Sequence, residues 1–214
     1  MAHRQSFYEK YIKVPQDVLL ASAALAALSP ILLILAIAVR AKLGSPVIFR
    51  QERAGKNGAP FRMCKFRSMS DARDENGELL PDEKRLGKFG RWLRSTSLDE
   101  LPSLWNVVRA QCAFCGPRAL YMKYIPLYSE RQARRLEVRP GITGLAQING
   151  RNAITWEEKF NYDVQYVDTI SFAGDWKIML QTVQTVLKRE GISSSSSATM
   201  EEFTGSAQEA HSDG

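Results

Sequence analysis

Between Asp17 and Arg40 the chain carries no charge: VLLASAALAALSPILLILAIAV, 22 residues. At ~1.5 Å per residue, a helix of that length crosses a hydrocarbon core of ~30 Å. Ser29-Pro30 falls near the middle of the run. Proline removes a backbone N–H and clashes with the preceding turn, so the helix is predicted to break there, with Ser29 satisfying a freed carbonyl. Each half, about 10 residues or ~15 Å, spans roughly one leaflet. Arg4, Lys10 and Lys13 precede the run, and Arg40, Lys42, Arg50, Arg53 and Lys56 follow it. Basic flanks stay in the cytoplasm. The pattern leaves two topologies open: one kinked span, or a helix that enters one leaflet and turns back. A signal peptide fits poorly, because the run is too long and lacks a small-residue cleavage site.

The next stretch, VIFRQERAGKNGAPFRMCKFRSM, alternates apolar and polar positions around Asn57-Gly58 and predicts a β-hairpin. A polar loop follows, from Ser70 to Pro81. Leu86, Phe89 and Leu93 lie at helical spacing within 82–95, with basic residues between them. That stripe suits a core or a membrane surface. A further helix is expected to begin at Ser97, and another over 116–138, broken near Pro126. Residues 138–152 are too rich in Gly and Asn for regular structure. Amphipathic helices are predicted at 155–168 and 174–189, and a mobile polar tail from Ser193.

Charge adds a partner. The formal net charge is +6 and the pI about 9.3, which calls for an anion: nucleic acid, a phosphorylated small molecule, or a lipid surface. The two histidines, His3 and His211, sit in the tails. Histidine acid/base chemistry and histidine metal sites are therefore excluded. Cys112 and Cys115 form one CxxC, with no His nearby to complete a zinc site. With Cys64 they read as small apolar residues in a reducing compartment.

Candidate chemistry centres on SLDELPSLWN, Ser97 to Asn106. Taken in isolation, Asp99 and Glu100 are helix-capping acids: Ser97 and Glu100 match a capping box, or Asp99 is itself the N-cap. The surroundings add a second role. Lys65, Arg67, Arg91, Arg94, Arg118, Arg139 and Arg151 lie in loops or at element ends. Arg118 and Arg139 stand in Pro/Gly turns, where a guanidinium fork and nearby backbone N–H groups suit phosphate. A polyphosphate travels with Mg²⁺, and Mg²⁺ takes one or two carboxylates. A carboxylate can also be a nucleophile. The residues thus point to a membrane-bound, Mg²⁺-dependent phosphoryl-transfer enzyme, with a membrane-tethered module for nucleic acid or anionic lipid as the alternative.

From about Lys13 to Ile192 the chain resembles the monotopic phosphoglycosyl transferases, also called bacterial sugar transferases. The resemblance rests on Ser29-Pro30, KFRSM (65–69), RSTSLDELPSLWNV (94–107), GPR (116–118), VRPGITGLAQINGRNAITWEEKF (138–160) and VLKREGIS (186–193). It implies a mostly helical α+β fold: a re-entrant membrane helix broken at Ser29-Pro30 (residues 1–42), then one catalytic unit (43–192) with a small β-hairpin and amphipathic surface helices. The polar tail (193–214) closes the chain. It implies transfer of a sugar 1-phosphate from a UDP-sugar to undecaprenyl phosphate, with release of UMP, as the first membrane step of glycoconjugate assembly. Nucleic acid is not a partner in that reading. The expected place is the cytoplasmic face of the bacterial inner membrane, inserted in one leaflet. Asp99 is implied as the nucleophile that carries the phosphosugar, and Asp99 with Glu100 as the Mg²⁺ ligands. Lys65, Arg94, Arg118 and Arg151 match phosphate-site positions, and Arg139 is added from its local pattern. The segment SATMEEFTG is similar to tails of members that handle di-N-acetylbacillosamine. The chain departs from the family's usual KGDMSFVGPRP at residues 109–119, RAQCAFCGPRA: Gln111 replaces a carboxylate and Ala119 a proline.

Overall fold

The structure, a computed structural model, describes residues 5–150, 153–188 and 202–205. A π-helical turn, Tyr8–Ile12, leads directly into α1, Lys13–Leu43. The combined helix is the one among the described residues that is long and apolar enough to cross a membrane. Pro30 lies inside α1 and has no N–H for the carbonyl four residues back, Ala26. Ser29 Oγ donates to that same carbonyl at 2.8 Å. Helical backbone therefore continues through Ser29-Pro30, with the freed acceptor repaired locally.

Both halves of α1 pack on the same domain. Ala21, Ala24, Leu25 and Leu28 meet Phe61, Met63, Leu104 and Val107. Leu32, Leu35, Ala36, Val39 and Leu43 meet Phe66, Leu93 and Leu101. Leu19, Ile31, Leu33, Ile34 and Ile37 stay exposed. The N-terminal end is fastened by polar groups. Lys13 pairs with Asp175. Tyr8 and Tyr166 each donate to the Asp175 carboxylate at 2.8 Å. Asp17 accepts from Arg139 at 3.2 Å. Buried charges are tolerated when each has such partners.

Strands β1, Ile48–Ala54, and β2, Pro60–Phe66, form the predicted antiparallel hairpin, with Ile48 opposite Phe66 and Ala54 opposite Pro60. Asn57 (φ 55°) and Gly58 (φ 74°) take the left-handed conformations of the turn. The single helix expected over 82–95 is two: α2, Asp82–Arg85, and α3, Lys88–Ser95. Leu86 turns into the core, and Gly87 is extended before α3 restarts.

A 3-10 turn, Leu98–Ser103, precedes α4, Leu104–Val108. The helix expected over 116–138 is replaced by smaller pieces: a 3-10 stretch Met122–Leu127 holding Pro126, then α5, Glu130–Ala133, and a 3-10 turn Arg134–Leu136. Before them lies β3, Ala113–Cys115; after them comes β4, Gly141–Thr143, and the two pair in parallel. Residues 138–152 thus contain a strand, followed by α6, Leu145–Ile148. Here the glycines permit close backbone approach. A Cβ on Gly116 would sit 2.5 Å from the Arg139 carbonyl oxygen, and one on Gly144 2.2 Å from that of Gly116.

Thr155 and Glu158 form a capping box on α7, Trp156–Thr169, and α8 runs Phe172–Lys188. The tail departs from a uniformly mobile segment. Phe203, its one aromatic residue, is buried with Tyr124 and Phe160, against Tyr128 and Trp156. Glu202 pairs with Lys123 at 2.7 Å. Cys112 and Cys115 are free and fully buried. Burial pushes the Cys112 thiol up to about 12 and raises that of Cys115. Both thiols therefore stay protonated, and Cys115 donates to the Asp175 carbonyl at 3.3 Å.

The altered loop is well partnered. Asn106 donates to Gln111 Oε1 at 2.9 Å and to the Arg62 carbonyl at 2.8 Å, and accepts from the Cys64 N–H at 2.9 Å. Gln111 thus supplies an acceptor where the family carries a carboxylate. Ala119 is buried in the α1–hairpin core.

Candidate active site

The capping role expected for the acidic pair is not what the structure contains. Ser97 is left-handed (φ 56°) and its side chain makes no cap. Asp99 and Glu100 occupy the first turn of the 3-10 stretch, where Ser103 Oγ donates to the Glu100 carbonyl at 2.5 Å.

The two acids have opposite surroundings. Glu100 Oε1 accepts from Lys65 Nζ at 2.7 Å and from Arg118 Nη2 at 2.8 Å. Burial alone would raise its pKa, but Arg118 and Lys65 more than offset it, and the carboxyl lies well below the usual range. Asp99 is 8% exposed and has no hydrogen bond or ion pair among the described residues. Burial and then the neighbouring Glu100 charge push it up to about 6, against the pull of Lys65, Arg94 and Arg118.

Each cation arrives from a different element. Lys65 is on β2, opposite Phe49. Arg94 is on α3 and donates from Nε to Ser68 Oγ at 2.9 Å. Arg118 follows β3 and bridges to Gly141 of β4. Its main chain is held from below: Arg135 donates to the Arg118 carbonyl at 2.6 Å and to Asp163 at 2.8 Å. Arg135 and Asp163 are both buried. Lys65, Arg94 and Arg118 therefore gather at the dyad. Arg139 goes elsewhere, to Asp17 and to the Cys112 carbonyl, each at 3.2 Å. Its place is the clamp on α1, and it makes no contact with Asp99 or Glu100 among the described residues. Arg151 lies outside the described residues.

Two further cations were not singled out from the sequence. The charges of Arg53 and Lys159 both act on Arg118. Strand alternation carried a signal for the first: Arg53 and Lys65 pair with Phe61 and Phe49, so they share one face of the hairpin. Lys159 lies on α7, far along the chain from Arg118, and only the fold brings their charges together.

The donor set bears on Mg²⁺. Among the described residues no group of three or more His, Cys, Asp or Glu side chains gathers for a metal. The unpartnered Asp99 carboxylate, with the second oxygen of Glu100, offers the one or two carboxylates that Mg²⁺ takes when substrate phosphates and water complete its shell. The residues fit such a substrate-completed site.

A buried acid with no hydrogen-bond partner among the described residues thus lies beside an acid held between two cations, an arrangement able to receive an anion. The bacterial sugar transferase family matches residues 8–189. The uncharacterized sugar transferase EpsL of Bacillus subtilis is 57% identical over 178 residues, covering 83% of this chain and 88% of that one. A UDP-glucose:undecaprenyl-phosphate glucose-1-phosphate transferase of Caulobacter vibrioides is 36% identical over 181 residues, 80% of this chain and 68% of that one. A Klebsiella pneumoniae protein of the same description is 39% identical over 178 residues, but the match spans only 38% of it. The chain belongs to the bacterial sugar transferase family, and it is a phosphoglycosyl transferase.

Proposed function

We propose that the protein transfers a sugar 1-phosphate from a UDP-sugar to undecaprenyl phosphate and releases UMP, with Asp99 as nucleophile. The carrying observation is the asymmetry of the dyad: Asp99 is buried and unpartnered, while Glu100 is held by Lys65 and Arg118. An Asp99 oxygen attacks the sugar-bearing phosphorus, a P–O(Asp) bond forms, and the diphosphate P–O bond breaks with its electron pair leaving on UMP. An oxygen of undecaprenyl phosphate then attacks the same phosphorus, and Asp99 departs as carboxylate. The two half-reactions let a soluble donor and a lipid acceptor use one site in turn. Lys65, Arg94 and Arg118 offset the charge that develops on the phosphoryl oxygens. Mg²⁺, held by Asp99 and Glu100, would supply further charge neutralisation to the diphosphate.

The membrane assignment draws on the exposed apolar residues of α1, together with Trp92 on α3, Trp105 on α4, and Phe172, Trp176, Leu180 and Val183 along α8. These support a seat in a lipid surface, and the basic residues flanking α1 favour the cytoplasmic face, with α1 re-entrant in one leaflet. The donor sugar to test first is N-acetylated, di-N-acetylbacillosamine included; named relatives act on glucose and galactose. Incubation with a panel of UDP-sugars, Mg²⁺ and undecaprenyl phosphate should release UMP from one of them. Without acceptor, intact-mass analysis should find one sugar phosphate added, and none in Asp99→Asn. A variant with undiminished turnover would remove Asp99 from the nucleophile's role.

A further inference from the structure

We propose that Phe49 holds the isoprenoid units next to the phosphate of the lipid acceptor. The inference rests on the undecaprenyl phosphate reading and adds one residue to it. By register and strand alternation, Phe49, Gln51, Arg53, Phe61, Met63 and Lys65 share one face of the hairpin. Phe61 and Met63 pack in one cluster with Ala21, Ala24, Leu25 and Leu28 of α1. Phe49, the other aromatic residue of that face, is 47% exposed. It is the hairpin's one exposed large apolar side chain. It stands opposite Lys65, whose Nζ donates to Glu100 at 2.7 Å. Side chains directly opposite across two strands start about 5 Å apart at Cβ. The Phe49 ring therefore begins within reach of the lysine that ends on the dyad, yet takes no part in the core.

An exposed ring beside a phosphate site can meet a nucleotide base or a lipid tail, and the surroundings favour the tail. Val47 and Ile48, just before Phe49, pack with Leu32, Leu35, Ala36, Val39 and Leu43 of α1. Leu98 and Leu101, which bracket Asp99 and Glu100, join the same cluster. The acidic pair thus rides on a turn whose leucines rest on the C-terminal half of α1. Ile31, Leu33, Ile34 and Ile37 of that half stay exposed, so the apolar surface of the membrane helix continues toward the hairpin. The charge fits the other end of the same molecule. Arg94 donates from Nε to Ser68 Oγ at 2.9 Å and is in no ion pair among the described residues. Ser68 is three residues past Lys65, ~10 Å of extended chain. The helix that carries Arg94 packs on α1 through Leu93. A phosphate between Lys65 and Arg94 therefore leaves its isoprenoid to cross Phe49 on the way to the bilayer.

The test uses the full chain in detergent micelles, where no bilayer anchors it. Equilibrium binding of undecaprenyl phosphate and of the short-chain farnesyl phosphate is measured for wild type, Phe49→Ala and Phe49→Leu. Leu127→Ala, at an exposed leucine of the Met122–Leu127 stretch, is the control. Phe49→Ala should weaken both lipids about tenfold, the worth of covering roughly half an aromatic side chain. Phe49→Leu should recover most of the loss, and the control should keep the wild-type value. In turnover, the KM for undecaprenyl phosphate should rise, while UMP release without acceptor keeps its rate and its dependence on UDP-sugar. Melting curves identify an alanine variant that fails to fold, and Phe49→Gln, polar and of similar length, then decides. Lipid affinity within twofold of wild type in folded variants overturns the contact. So does a loss seen with undecaprenyl phosphate alone, which would place Phe49 far from the phosphate, or an equal loss for the UDP-sugar, which would mean a base on the ring. Wild type that binds the lipids through Phe49 yet turns over no UDP-sugar keeps the contact and sinks the transferase reading.

Discussion

At the scale of single residues, the dyad is a case of one local sequence producing two opposite environments. Glu100 is ionised because two cations hold it; Asp99 is costly to ionise because burial outweighs its more distant cations. A carboxyl whose folded pKa is raised binds its proton more tightly folded than unfolded. Between the ordinary value of 3.8 and about 6, the unfolded Asp99 ionises first. Stability therefore falls as pH rises through that window and stays lower above it. Asp99→Asn removes this cost, at most about 3 kcal/mol. In EDTA and near neutral pH, the variant should melt several degrees above wild type, and the gain should shrink toward pH 4. Activity has the reverse requirement. As the proposed nucleophile, Asp99 must be ionised, so the rate at which the proposed intermediate forms should fall as pH drops through about 6. A variant that gains stability equally at both ends of the range would show that Asp99 titrates normally.

At the scale of elements, the turn that carries Arg118 to Glu100 depends on what lies beneath it. Arg135 ties the Arg118 carbonyl to the buried Asp163, and stacks near the Tyr128 and Phe160 rings. Arg135→Ala leaves Asp163 buried and unpaired, a loss of about 3–5 kcal/mol, which thermal denaturation should register as a large drop in Tm. Phe203 closes the same cluster from the tail. Phe203→Ala should cost less than a core Phe→Ala change, about 3–5 kcal/mol, because only a short docked segment is released. Faster amide exchange over Trp156–Phe160 would report the loss; unchanged exchange would mean the docking is idle. The hairpin, the two closing helices and the apolar run were legible because alternation, 3.6-residue periodicity and unbroken hydropathy are local properties. The nearness of Lys65, Arg94 and Arg118 to the acidic pair was foreshadowed by their place in the motifs. What stayed hidden depends on partners distant in sequence. Arg139 has the same Pro/Gly setting as Arg118, and only the fold sends it to Asp17. The β3–β4 pairing needs strands of three residues brought together across glycines. Phe203 needed a cluster assembled from α7 and the Tyr124–Tyr128 stretch.

At the scale of the whole molecule, the question is how α1 sits in the bilayer. A straight helix of its 31 residues would be about 46 Å long, longer than the ~30 Å hydrocarbon core. If it crossed, one end would leave the domain for the opposite aqueous side. Instead both ends are attached to the same domain. Lys13, Asp17 and Tyr8 are fastened to Asp175 and Arg139 at one end, and Leu35, Val39 and Leu43 pack with Phe66 and Leu93 at the other. Pulling the N-terminal end across the membrane would strip Asp175 and Arg139 of their buried partners, which costs several kcal/mol for each broken pair. The apolar face with Leu33, Ile34 and Ile37 can meet lipid without any such loss. Single cysteines placed at Gln5 and at Ser45, in a Cys64→Ser background, should both resist a membrane-impermeant maleimide in right-side-out vesicles and both react once the membrane is opened. Labelling of one end alone in sealed vesicles would mean that α1 spans the bilayer and that the clamp at Asp175 opens in the membrane.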